Sequence, residues 1–354
     1  MKTNPRSPAL PWNSLTTSAP GDIRVGPIQA IPALLADLGA NPRQAFAQAG
    51  VDRQLFLDPD NRIQIDALGR LLESCVELTG CAHFGLLLGA RFDLKGLGPL
   101  GDLMCNAATV GEALRGLLLH LHLHDRGAAP LLLAPASAPA PACALLGYSV
   151  FRHGTPALAQ ILDAAIAIAY AILNALCGPT WKARHVQFSH SQPASSDAYH
   201  RVFRCNVSFD AEVSGIVFDA AWLEQAIKGA DATLHELVSK AIRDADARSA
   251  MSFAERVQGM LPQMLLSRMA SAEAVACQFA IHERTLRRRL EREGKNLQEL
   301  VNQARFELAR QLLQNTALSV SVIATALCYD DPNAFSRAFR NWAQLSPTQW
   351  RGRP

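Results

Sequence analysis

Residues 274–290 read AVACQFAIHERTLRRRL, and residues 322–340 read VIATALCYDDPNAFSRAFR. The two stretches echo each other. Val275-Ala276 matches Ile323-Ala324 and Phe279 matches Leu327, each at a separation of 48 residues. Further along, Leu286 matches Phe335, Arg288 matches Arg337 and Leu290 matches Phe339, now at a separation of 49. One extra residue in the second turn accounts for the change. Each unit reads as a short helix, a tight turn and a second helix, with a small alanine where the two helices must approach closely. That is the sequence form of a helix-turn-helix, here present twice, over residues 271–294 and 319–343.

The punctuation around the repeat agrees. Ser271 is placed to cap the first short helix, and Gly294 to end the second. Asn296, with Glu299 three residues on, opens a long helix, NLQELVNQARFELARQLL. Ser319 opens another, and Asp331-Pro332 and Ser346-Pro347 open two more with proline at the first helical position. From 251 to 354 the chain therefore reads as all helix.

The outward faces follow from the apolar spacing. Leu286 and Leu290 lie four residues apart and face the core, which turns Arg284, Arg287 and Arg288 outward. Arginine suits a base-reading role because its fork pairs with guanine O6 and N7. Arg289 and Arg292 point elsewhere, where phosphate contact or solvation suits them better, and Arg340 falls in the same class. In the second unit Phe335, Phe339 and Trp342 form the packed stripe, leaving Asn333, Ser336 and Arg337 outward. The helix Leu297–Leu313 is about 26 Å long at 1.5 Å per residue, stiff enough to hold two recognition helices in major grooves about 34 Å apart.

Charge has the same address. The whole chain of 354 residues carries a net +3, but residues 251–354 hold 14 Lys+Arg against 9 Asp+Glu, and the rest carries a net −2. The basic excess thus belongs to the part that would meet a polyanion.

The remainder suggests a separate domain. A hydrophobic content of 49% supports packed cores. Residues 1–24, rich in Pro, Ser and Thr, read as a disordered lead without a secretory signal. Residues 25–230 read as one α+β domain with a single core, and 231–250 as a polar helical connector. Helices are expected near 31–38, 67–78, 110–121 and 156–177, and strands within 131–153 and at 185–188, 207–209 and 215–218. The most apolar run, AAIAIAYAIL at 164–173, is too short to span a bilayer and reads as a buried helix, with a dimer interface or pocket wall as the sharper alternative. The fold class is mainly α: a small α+β domain followed by an all-α tandem helix-turn-helix domain.

Several signals point away from catalysis or metal. The eight cysteines are scattered without a CxxC pair, as for reduced thiols in a cytoplasmic protein. His120, His122 and His124 (HLHLH) end a helical pattern, where their side chains diverge, so no metal site is assigned. Ser189-His190 lacks an evident acid partner, and neither GxGxxG nor GxxxxGK[ST] occurs. No cofactor is expected.

RTLRRRLEREG (284–294), FELARQLL (306–313), SVIATALCY (321–329) and DPNAFSRAFRNWAQLSPTQWR (331–351) together resemble the DNA-binding domain of the AraC/XylS family of bacterial transcription regulators. The likeness covers 251–354. That family usually places glycine in both turns, where this chain has Ala280 and Cys328; if those positions need positive φ, each costs on the order of 1 kcal/mol. DPDNRIQIDAL (58–68), LTGCAHFGLLLGARF (78–92) and VQFSHSQPASSDAYHRVFRCNVSFD (186–210) are similar to the sensor domain of one AraC subgroup, the arabinose-binding-domain-like one. The resemblance implies a cytoplasmic regulator, an activator by family tendency, whose partners are double-stranded promoter DNA, RNA polymerase, a small-molecule effector and a second copy of the chain, with no membrane. The alternatives are a constitutive DNA binder whose first domain only dimerises, and an enzyme domain fused to a DNA anchor.

Overall fold

The computed structural model describes residues 21–121, 124–125, 128–133, 142–150, 155–247, 252–266, 270–279 and 281–352. The first half opens on β1 (Asp22–Arg24), which pairs antiparallel with β2 (Arg62–Gln64) and aligns Ile23 with Ile63. Of the stretch 1–24 expected to be a disordered lead, residues 22–24 form this strand and 1–20 lie outside the described residues. Both isoleucines are buried, and that apolar pair secures the short ribbon.

Around the ribbon lie α1 (Ile31–Asp37), α2 (Pro42–Ala49), α3 (Ile65–Thr79), α4 (Phe84–Ala90), α5 (Pro99–Cys105) and α6 (Val110–His120). Thr109 caps α6, its side chain accepting from the Glu112 amide at 3.1 Å. A five-stranded sheet follows, built from β3 (Ala128–Leu133), β4 (Cys143–Val150), β5 (His185–Gln187), β6 (Asn206–Ser208) and β7 (Ser214–Asp219) in the order β3-β4-β7-β5-β6. Its pairings are antiparallel except β5–β6.

The apolar run at 164–173 belongs to α7 (Leu158–Cys177), a helix of 20 residues. By length and composition alone it is long and apolar enough to cross a membrane, but 56% of its 18-residue apolar window is buried inside the protein. What covers it is α4. A Cβ on Gly85 or Gly89 would strike the carbonyl oxygens of Gln160 and Ala164 on α7, so only glycine lets the two backbones meet there.

The expected single core is instead two apolar clusters, and α7 runs between them. Its first turns (Ile161, Leu162, Ala164) pack with α1–α4, while Ile166, Ala167, Ile172 and Leu173 pack with α5, α6 and the sheet. After α8 (Asp197–Phe203) comes α9 (Ala232–Ala247), in the expected connector. It is more than a connector: Val238 and Ile242, four residues apart, are buried in the second cluster, and His235 Nδ1 lies 3.1 Å from the Leu103 carbonyl. One apolar pair in a polar helix is a weak sequence signal, yet it fixes the helix to α5.

The C-terminal half is helical throughout its described residues: α10 (Phe253–Leu266), α11 (Ala272–Gln278), α12 (Glu283–Arg292), α13 (Leu297–Asn315), α14 (Val320–Ala326), α15 (Pro332–Ala343) and α16 (Pro347–Arg351). Its core extends into the first half. Leu119 of α6 and Val213 share one cluster with Phe253, Val257, Met260 and Leu261 of α10, and Leu133 and Leu145 of the sheet pack against it. The Ala317 amide also donates to the Glu212 carbonyl at 3.1 Å.

Candidate nucleic-acid interface and buried pocket

Local chemistry fixes the two helix-turn-helix units. Ser271 accepts from the Ala274 amide at 3.1 Å, Asn296 from Glu299 at 2.8 Å, and Ser319 from Val322 at 3.3 Å. Ser346 and Gln349 form a reciprocal capping box at the start of α16, and Gly294 takes φ +68 after α12. The second turn needs a left-handed residue, and Cys328 supplies it at φ +60, with its thiol donating to the Leu265 carbonyl at 3.2 Å. The other turn residue, Ala280, lies outside the described residues.

Leu286 and Leu290 on α12, and Phe335 and Phe339 on α15, are fully buried. Burial of side chains of this size contributes about 1.5–3 kcal/mol each, enough to fix the rotation of both helices. Arg284, Arg287, Arg288, Arg289 and Arg292 are all exposed on α12; on α15 Asn333, Arg337 and Arg340 are exposed and Ser336 is half-buried. Arg287 pairs with Glu283 one turn back. Arg289 differs from its neighbours: its guanidinium stands 5.3 Å from the centre of the Phe253 ring, packed on α10. The spacer α13 has 19 residues, about 28 Å at 1.5 Å per residue, slightly longer than its apolar spacing suggested.

Two anchoring residues escaped the sequence reading. Glu293, at the end of α12, accepts from the Phe253 and Ala254 amides at 3.0 and 2.7 Å, so it caps α10 from a different helix. Arg351 reaches the carbonyls of Leu313 and Leu318, tying α16 to the end of α13. Both partners lie more than thirty residues away, and no local pattern marks them.

The first half contains a partly open cavity of about 130 Å³. Its wall is apolar almost throughout: α3, α4, α6 and α7 from Ile161 to Ile172 contribute, so the pocket-wall alternative for α7 holds together with its core role. Among the described lining residues, polar side chains are confined to one corner, made by His124, Asp125 and Tyr148. The Tyr148 hydroxyl donates to the Asp125 carboxylate, and burial together with that carboxylate raises the phenol well above its ordinary pKa. His124 Nε2 donates to the Leu97 carbonyl at 2.8 Å. Burial, with the charge of Arg24 beside it, lowers this imidazole to about 3, so it is neutral. Of the HLHLH histidines, His120 and His124 are both buried, and His122 lies outside the described residues.

Near Ser189-His190 the structure does supply the acid that the sequence did not suggest. Asp163, buried on α7, lies 2.9 Å from His190 Nε2 and accepts from the Tyr199 hydroxyl at 2.7 Å. Burial opposes charge on His190, but Asp163 and the Ser191 carbonyl more than offset it, and its pKa is raised. The serine is not part of a relay. His190 Nδ1 faces the Ser191 carbonyl at 3.0 Å, and Ser189 Oγ faces Ser214 Oγ at 3.1 Å. Both ring nitrogens are thus engaged away from Ser189, and the group reads as a structural tie between α7, α8 and the β5–α8 loop.

Comparison with known proteins gives a family for each half. Residues 39–227 match the arabinose-binding domain of AraC transcription regulators, and residues 275–353 match a helix-turn-helix domain. The chain is 30% identical to the HTH-type transcriptional regulator VirS of Mycobacterium tuberculosis over 318 residues, covering 90% of this chain and 93% of that protein. It is 26% identical to the ornithine utilization regulator of Pseudomonas aeruginosa, covering 92% of this chain and 95% of that one. Among solved structures, the transcriptional regulator CdpR from Pseudomonas aeruginosa aligns with a TM-score of 0.44 and 23% identity, over 90% of this chain and 98% of that one. With its effector-binding domain ahead of two helix-turn-helix units, the chain belongs to the AraC family of transcription regulators.

Proposed function

We propose that the chain is an effector-controlled transcription activator that reads its operator through both helix-turn-helix units. Arg284, Arg287 and Arg288 on α12, with Asn333, Ser336 and Arg337 on α15, contact base edges. Arg292 and Arg340 contact phosphates. Arg289, held over Phe253, contributes to packing rather than to DNA contact. In the cell the protein acts as a homodimer in the cytoplasm, and contact with RNA polymerase converts binding into activation.

One observation carries effector control over the constitutive alternative: a single layer of structure separates the pocket from the DNA-binding half. Leu117 of α6 and Leu121 just after it line the pocket, while Leu119 of α6 joins the core around α10. On β4, Leu146, Gly147 and Tyr148 line the pocket, while the preceding Leu145 packs against the same core. On β3, Pro130 lines the pocket and Leu133 faces the other way. A ligand that shifts α6 or β4 moves residues on both faces at once, which is the physical requirement for a population shift between two presentations of the DNA-binding half.

A footprint of the full chain on the DNA upstream of its own gene and its neighbours tests the reading. Protection is expected in two successive major grooves on one face, about 34 Å apart, with affinity falling steeply as salt rises. Protection of one groove only, or salt-independent binding, would sink it.

A further inference from the structure

One helix, α10, touches both the effector-binding half and the first reading helix. It packs on α6 and β3 of the first half, and on α12 and α13 of the second. We infer that Glu293 is a positioning residue for operator reading: its carboxylate holds the end of α12 in place on α10. The inference rests on the reading of α12 as a base-contacting helix.

The start of α10 is capped twice. The Ser252 hydroxyl accepts from the Glu255 amide at 3.2 Å, and the Glu255 carboxylate accepts from the Ser252 amide at 2.7 Å. That reciprocal box is a sufficient local start for a helix. Glu293 takes the two amides between them, Phe253 at 3.0 Å and Ala254 at 2.7 Å, one on each carboxylate oxygen. A carboxylate on the free amides of a helix N-terminus makes charge-assisted bonds, stronger than neutral ones. Because α10 has its own cap, what Glu293 adds is a tie between two helices.

The same residue of α10 receives a second contact from α12. Arg289, one turn before Glu293, stands over the Phe253 ring, and that ring meets Phe279 at the end of α11 edge-on at 4.9 Å. Phe253 also belongs to the buried cluster that contains Leu119 of α6. Glu293, Arg289 and the junction with the first half thus converge on the first turn of α10.

The reading helix needs such a tie. Leu286 and Leu290 are buried and fix rotation about the axis of α12, but apolar contact is non-directional and constrains sliding and tilt less. Hydrogen bonds are directional, and a bidentate arginine–guanine contact requires donor–acceptor distances of about 2.7–3.2 Å. Glu293 lies three residues from Leu290 and seven from Leu286, on the core-facing side of α12 and away from Arg284, Arg287 and Arg288. It acts on those arginines through the helix, not by contact with DNA.

The test compares Glu293→Ala, Glu293→Gln and Glu255→Ala in the full chain, by thermal unfolding and by titration and footprinting on the native operator and a scrambled duplex. Glu293→Ala removes both inter-helix bonds, and Glu293→Gln keeps one acceptor oxygen. Glu255→Ala cuts the local cap at the same helix end and leaves the tie. The two alanine variants are expected to lower the melting temperature by a similar few degrees. Only Glu293→Ala is expected to lower the ratio of operator to scrambled-duplex affinity by about tenfold, the worth of one misaligned base contact. Protection should fade in the groove whose base preference Arg287→Ala relaxes and persist in the other, with Glu293→Gln intermediate. Loss of one negative charge near DNA raises affinity for both duplexes alike, so the ratio separates orientation from electrostatics. If both Glu293 variants keep the wild-type ratio, or if Glu255→Ala lowers it equally, Glu293 is only a cap and the inference falls. Should Glu293→Ala not fold, a wild-type ratio in Glu293→Gln overturns it alone. The underlying reading fails on a different result: Arg287→Ala with Glu293 intact then changes no base preference, which removes α12 as a reading helix and the inference with it.

Discussion

At the residue scale, the arginines of α12 divide by what they already touch. Arg287 is 66% exposed and paired with Glu283 across one helical turn. Exposed pairs of that kind are worth about 0.3–0.5 kcal/mol, so releasing Arg287 to a guanine costs little against the gain of a bidentate contact. Arg292, exposed on the last turn of α12, is the proposed phosphate contact. Arg287→Ala is therefore expected to cost about 1–3 kcal/mol on the cognate operator and to relax preference at one base pair. Arg292→Ala is expected to weaken all sequences alike and to lower the salt slope by about one. Titrations of both variants on the operator and on a scrambled duplex, at two salt concentrations, decide the matter; parallel behaviour of the two would mean the assignment of faces is wrong.

At the scale of the element, what could be read from the sequence was what is local. Ser271, Asn296, Ser319 and Ser346 were identifiable as caps because the amides they satisfy lie three residues away. Leu286, Leu290, Phe335 and Phe339 announced the buried faces by spacing alone. The burial of α9, the cap that Glu293 provides to α10 and the polar corner of the pocket were not legible, because each joins segments tens of residues apart or hangs on a pair of apolar side chains. Turn chemistry lies between the two cases. The position of Cys328 was marked as one where glycine is usual, and the structure gives it φ +60. Left-handed geometry at a non-glycine residue costs on the order of 1 kcal/mol, and a thiol is a weak donor that recovers only part of this through Leu265. Cys328→Gly is accordingly expected to stabilise the chain by about 0.5–1 kcal/mol, and Cys328→Val, branched at Cβ, to destabilise it by more than about 1 kcal/mol. Thermal or urea unfolding of the three proteins measures both; a glycine variant less stable than the wild type would show that the thiol contact outweighs the strain.

At the scale of the whole molecule, the two halves share a core without sharing the DNA-reading surface. The junction uses α6, β3 and β4 on one side and α10 and α13 on the other, centred on Leu119, Leu133, Leu145 and Val213. Arg284, Arg287 and Arg288 on α12 and Asn333 and Arg337 on α15 remain exposed while the halves are docked, and Ser336 is half-buried. Docking therefore does not cover the face proposed to meet DNA, and on that reading control by the first half acts on how the two helix-turn-helix units are presented, not on whether they are reachable. This distinguishes two outcomes for Leu119→Ala. Removing a nearly buried leucine at the junction weakens the shared core by about 2–5 kcal/mol, so calorimetric unfolding is expected to become less cooperative, with the van't Hoff enthalpy falling below the calorimetric one. Operator affinity without effector should stay within about threefold of wild type, because Leu119 lies on α6, outside both helix-turn-helix units. A tenfold or greater gain in affinity on loosening the junction would mean that docking hides the reading face, and that control by occlusion replaces control by presentation.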